Sequence, residues 1–201
     1  MQIDLSWTPY LGEITPTFIT GVFLIWLLGS VCLSRFLPRG IASLVVGIKI
    51  LICATYFLSP IAGTWYIGAD DAQYFEAGLQ LTRSDFNLIS IWFSPIGNYL
   101  LLERESVGLI HFWNMLWLTI LEEKYYSPIL GNILLSVLAG ICWFKILRLL
   151  DFSRIFSQGA LIFFLLHWTT LTWTSFLNMK EPLVIAASSF FILSIIWVSK
   201  R

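Results

Sequence analysis

Apolar runs follow one another along the chain at 18–33, 41–58, 107–121, 129–147, 155–176 and 183–198. They are apolar on every side rather than striped, and most have the ~17 to 25 residues that a helix needs to cross ~30 Å of hydrocarbon. Between 59 and 126 the pattern changes. An acidic stretch comes first, followed by an apolar stretch at 86–121 broken by Ser94-Pro95, Gly97-Asn98 and the charged run at 103–106. That stretch reads either as a tight pair of spans or as helices lying along the membrane surface and dipping in. The pattern predicts an all-α fold, a polytopic transmembrane bundle of about five to seven spans. Residues 1–201 read as one domain, with 59–126 an external loop carrying surface or re-entrant helices.

Composition strengthens this picture. The chain is 58% apolar and 12% charged, where a soluble domain carries roughly a quarter charged residues. No Lys or Arg occurs before Arg35, so a cleavable signal peptide with a basic leading region is not expected. Twelve basic residues balance twelve acidic ones, which gives no electrostatic footprint for nucleic acid. Cys32, Cys53 and Cys142 lie inside apolar runs at no metal-ligand spacing and read as packing residues.

Basic residues flanking spans tend to stay cytoplasmic. They gather at Arg35 and Arg39, between Lys145 and Arg154, and at Lys200 and Arg201. If those segments are inside, counting spans puts the acidic loop at 68–78 and the turn at 177–182 together on the non-cytoplasmic face of a plasma or inner membrane. Trp65, Tyr66, Tyr125 and Tyr126 then fit interfacial anchors on that face.

Two polar constellations fall in these loops. In the first, Asp70 and Asp71 open a helix whose polar residues Gln73, Glu76, Gln80 and Arg83 recur at helical spacing, which predicts an amphipathic helix on the membrane surface. Structural roles are available to both acids: Asp70 can cap the helix with Gln73 completing the box, and Asp71 can complement the dipole, which accounts for it less well. In the second, Pro182 suits the start of the last helix, and Asn178, Lys180 and Glu181 form either a solvated turn or part of a site. His167, Thr170, Thr174 and Asn178 lead into it at three- and four-residue spacing, one polar stripe of the kind that faces a bundle interior. Two further positions stand out. His111 and Asn114 lie one turn apart among aromatic residues. Lys49 sits near the middle of a span, at ~2.5 to 3.5 kcal/mol on insertion scales, and reads as facing protein, reaching for the interface or binding a phosphate.

A paired acid followed by a tyrosine at the start of an external loop, a surface helix, and a further acid in the next external loop resemble the GT-C superfamily of membrane glycosyltransferases. Protein O-mannosyltransferases and aminoarabinose transferases of lipid A are the members most alike. The resembling stretches are 69–77, 125–150 and 178–184, short motifs that from first to last span most of the chain after residue 60 and whose order and spacing carry the likeness. The resemblance implies Asp70 or Asp71 as catalytic base, Glu181 as the supporting catalytic acid, all three carboxylates as candidate metal ligands, and Lys180 placed to meet a phosphate. It also implies Tyr74, His111, His167 and Asn178 as substrate-binding candidates, a polyprenyl-phosphate sugar donor, and a divalent metal ion as the open cofactor question. Two departures stand against the pattern: an additional span precedes the one leading to the acidic loop, and family members usually continue with several more helices. The chain therefore reads as an N-terminal module, with a partner subunit as one way to complete it.

The chemistry is coherent without a nucleotide-binding motif, because a lipid-linked sugar arrives from the bilayer and no Gly-rich phosphate loop is present. Two other classes fit the same residues. A transporter or flippase-like protein would use Lys49 and His167 along a polar path, and a non-catalytic subunit of a glycan-assembly complex would use its aromatic surface for docking.

Overall fold

The computed structural model describes residues 14–58, 69–83 and 108–200, the side chains of 69–72 excepted. Among the described residues the fold is all-helical, with α1 (Pro16–Leu33), α2 (Arg39–Leu58), α3 (Ala69–Arg83), α4 (Gly108–Ile120), α5 (Tyr126–Leu149), α6 (Arg154–Leu166), α7 (Trp168–Ser175) and α8 (Glu181–Ser199). Helices α1, α2, α5 and α8 are long and apolar enough to cross a membrane, and α6 with α7, bent by 54° at one residue, make a fifth span if taken together. That is the make-up of a multi-pass membrane protein. Trp65 and Tyr66, read above as anchors, lie outside the described residues, as do the interruptions at 94–106.

Local chemistry sets the helix ends. Thr15 caps α1 by accepting a hydrogen bond from the Phe18 N–H at 3.0 Å, with Pro16 at the first position. Ser153 caps α6 in the same way through Phe156. Helix α5 ends in a Schellman turn: Phe152 N–H reaches the Leu147 carbonyl at 3.1 Å, and Asp151 N–H reaches that of Arg148 at 3.3 Å. Asp151 stands at the left-handed position (φ 64°), where only Gly, Asn and Asp sit at modest cost. Its carboxylate meets Lys200 at 3.1 Å, tying the end of α8 to the end of α5.

Helix α5 is the centre of the bundle. It packs against α1, α2, α4, α6, α7 and α8, and nearly every residue from Tyr126 to Gly140 is buried. Between membrane helices lipid removes most of the hydrophobic driving force, so close backbone approach and interhelical hydrogen bonds must hold the bundle. Gly131 provides such an approach, since a Cβ there would run into the indole of Trp117 on α4. Gly140 is the equivalent site against α6, where a Cβ would come 2.8 Å from Leu161. The Trp113 indole N–H donates to Asn132 at 2.9 Å, adding a polar tie between α4 and α5.

The helices at the periphery face outward with large apolar groups. On α8, Phe190 and Phe191 are each 66% exposed, an arrangement suited to lipid rather than water. Helix α4, with 13 residues, is only about 20 Å long and cannot cross the hydrocarbon alone. It lies instead along α3, where Gly78 lets the backbones meet beside Asn114 and where Ala77, Leu81 and Met115 form a small buried cluster.

The glycine contacts make a direct prediction. Gly131→Ala should lower stability by about 1–3 kcal/mol through overpacking against Trp117, whereas Gly159→Ala, with open space around it, should leave the unfolding midpoint in detergent unchanged.

Candidate functional site

Tyr125, read above as an interfacial anchor, is fully buried, and so is Tyr126 at 2% exposure. Both belong to the core, and the end of α2, the middle of α3 and the turn before α8 converge on Tyr125. The Tyr125 ring lies 5.9 Å from Phe57 at the end of α2 and 5.5 Å from Phe75 on α3. Its hydroxyl oxygen accepts the backbone N–H of Asn178 at 3.4 Å. Helix α3, whose first turn carries Asp70 and Asp71, and the turn leading to Glu181 are therefore joined through one aromatic side chain.

The first turn differs in detail from the capping reading. Helix α3 opens at Ala69, so Asp70 lies within the helix rather than at its cap. Both aspartates occupy the first turn, where negative charge complements the backbone dipole. Their side chains lie outside the described residues. Tyr74 is buried, its ring 5.9 Å from that of buried His111, so these two candidates sit together between α3 and α4. Helix α3 is thus covered by α4 on its apolar face, while Gln73, Glu76, Gln80 and Arg83 remain exposed. Its end is tied to the start of α5 by Arg83, which meets Glu123 at 2.6 Å.

The predicted polar stripe on α6 and α7 is broken. His167 falls at the 54° bend, capping neither helix through its side chain, and is exposed. Helix α7 ends at Ser175, one turn before Asn178. The remainder of the stripe is buried: Thr170, Thr174 and Asn178 turn into protein, as does the neighbouring Ser175. Thr174 returns its hydroxyl to the Thr170 carbonyl at 2.6 Å and accepts from the Lys49 ammonium at 2.7 Å. Lys49 is completely buried, so the mid-span lysine faces protein instead of reaching for the interface. The side chains of Ser175 and Asn178 and one oxygen of Glu181 are buried without a hydrogen-bond partner among the described residues. Lys180 beside them is exposed.

Two residues of this region carried no functional mark in the sequence. Glu122 accepts hydrogen bonds from the hydroxyls of both Thr15 and Tyr126, fastening the start of α1 to the start of α5. Ser175 differs from the neighbouring hydroxyl residues only in having no backbone carbonyl as partner, a property visible in space alone. No group of three or more His, Cys, Asp and Glu side chains comes together among the described residues. Of the three carboxylates implied as metal ligands, Glu181 alone has a described side chain.

No protein-family model matches the chain, and neither a curated protein nor a solved structure matches it.

The convergence on Tyr125 separates a hydroxyl effect from a ring effect. Tyr125→Phe should cost about 0.5–1.5 kcal/mol of stability, the worth of one hydrogen bond. Tyr125→Ala should cost about 3–5 kcal/mol and loosen α3 together with the 176–181 turn, read as faster hydrogen exchange in both segments.

Proposed function

We propose that this chain is a GT-C-like membrane glycosyltransferase, or the N-terminal module of one, which transfers a sugar from a polyprenyl-phosphate donor to an acceptor at the non-cytoplasmic face. The observation that carries the reading is the meeting of α3 and the 176–181 turn at Tyr125, which puts the two acid-bearing elements at one end of the bundle. The basic residues Arg35, Arg39, Arg148 and Arg154 flank the opposite helix ends, and this distribution supports a non-cytoplasmic site.

In this reading the lipid tail lies among the helices and its phosphate reaches the bundle end. A carboxylate of Asp70 or Asp71 takes the proton from the acceptor hydroxyl as that oxygen bonds to the anomeric carbon. The bond from that carbon to the phosphate oxygen breaks, polyprenyl phosphate departs, and the sugar carbon is inverted. Lys180, exposed beside the positive N-terminal end of α8, is placed to meet the charge that develops on the leaving phosphate. Glu181 supports the same centre. Tyr74, His111 and Asn178 would line the approach, whereas the exposure of His167 at the helix break removes it from this group.

A transport reading draws on one observation, the burial of Lys49 against Thr174. Its companion His167 faces outward at the bend, which leaves the polar path without a second titratable group on that helix pair.

Transfer by reconstituted protein from a polyprenyl-phosphate sugar tests the proposal. Asp70→Asn, Asp71→Asn or their combination should lower the rate by ~10²- to 10⁴-fold, the usual worth of a general base. Undiminished transfer by all three would remove the assignment. Single cysteines introduced at 71 and 181, with Cys32, Cys53 and Cys142 replaced, should be labelled by a membrane-impermeant thiol reagent from the same side. Labelling from opposite sides would exclude a shared reaction centre.

A further inference from the structure

The end of the bundle opposite Tyr125 gathers cations from several helix ends. Phe36, in the turn between α1 and α2, is where those ends meet. Its ring lies 5.1 Å from that of Phe144 on α5, and its carbonyl accepts a carboxamide N–H of Gln158 on α6 at 2.7 Å. Arg35 adjoins Phe36 in the chain, Arg148 follows Phe144 by one turn, and Arg154 precedes Gln158 by one turn. Residues four apart are neighbours on a helix surface, so three arginines stand within a turn of one contact. Arg39, Lys145 and Lys200 belong to the same end, and all six cations are exposed. Among the described residues Asp151 is the carboxylate found there, and it is already paired with Lys200. Arg35, Arg39, Lys145 and Arg154 have no ion pair among the described residues.

Orientation in the membrane accounts for cations beside span ends. It does not account for the large apolar groups set among them. Ile155 is 83% exposed and Phe156 54%, and Phe152, also exposed, stacks on Phe156 with ring centroids 5.1 Å apart. These residues immediately flank Arg154 in the chain or lie within a few positions of it.

We infer that this end of the bundle binds the headgroups of anionic phospholipids in the leaflet it faces. The unpaired cations complement the phosphate ester charge, and Phe152, Ile155 and Phe156 lie against the adjoining acyl chains. A soluble acidic partner would answer the charges and leave the apolar groups in water, whereas an anionic lipid answers both. The inference goes beyond the transferase reading and stands without it, because it draws on no residue of the acid-bearing end.

The test is thermal unfolding of the purified full chain in a maltoside detergent with dioleoyl phosphatidylglycerol, dioleoyl phosphatidylcholine, glycerol phosphate or a polyglutamate peptide added. Phosphatidylglycerol should raise the midpoint in a saturable manner, and phosphatidylcholine should not. Arg35→Gln combined with Arg154→Gln should weaken phosphatidylglycerol binding by about 25-fold, which is about fivefold for each cation lost near a charged lipid surface. An equal response to phosphatidylcholine, no response to phosphatidylglycerol, or full binding by the double variant would overturn the inference. An equal response to glycerol phosphate or polyglutamate would give the surface to a soluble anion or an acidic protein and overturn the lipid assignment. Basic residues also orient spans, so if the double variant does not insert, Ile155→Ser combined with Phe156→Ser is read instead, since it leaves every cation in place. That chain should bind phosphatidylglycerol several-fold more weakly, and unchanged binding by it overturns the inference.

Discussion

The structure depends on close contact around a single helix. In hydrocarbon the helices gain little from burying apolar surface against one another, because the solvent they leave is as apolar as they are. Helix α5 resolves this by bringing glycine to two of its crossings and hydrogen-bonding side chains to its ends. Trp117 lies against Gly131, Leu161 against Gly140, and Glu122 at the entry to α5 takes hydroxyl hydrogen bonds from Thr15 and Tyr126. The peripheral helices then need only one packed face each. This explains how α8, exposed along most of its length, keeps its place through contact with α5 and the exposed ion pair of Lys200 and Asp151.

The same centre determines what meets at the end of the bundle where Tyr125 lies. Tyr125 immediately precedes α5, so whatever packs on its ring is set by the post around which the bundle is built. The end of α2, the middle of α3 and the turn before α8 all do so. Rigid support of this kind is what a reaction centre assembled from separate loops requires, since misplacement by about 1 Å can cost a hundredfold in rate.

The spans were legible because an uninterrupted apolar run of spanning length has few alternatives. Of the six runs read from the chain, four fall on α1, α2, α5 and α8, each long and apolar enough to cross a membrane, one on the bent α6–α7 pair, and one on the 13-residue α4. Two errors share a physical origin. Tyr125 and Tyr126 suit an interface by type, yet a tyrosine is equally able to bury its ring when its hydroxyl finds a partner, and those partners, the Asn178 backbone and Glu122, lie 53 and 4 residues away. The stripe from His167 to Asn178 assumed a continuous helix. The bend at His167 and the end of α7 at Ser175 are set by packing on α2 and α5, which periodicity does not encode. The burial of Lys49 was open between protein and interface for the same reason, because its partner Thr174 is 125 residues distant.

That separation also bears on how the protein is made. A ribosome adding about 5–20 residues per second releases α2 on the order of ten seconds before α7 exists, and during that interval the ammonium of Lys49 has no Thr174 to bind. A hydrophobic segment with an unpaired cation near its middle is a poor candidate for unaided partition into lipid. Insertion of α2 is thus coupled to a helix not yet made, and the nascent chain must shelter at the translocation channel or beside a membrane chaperone until α7 arrives.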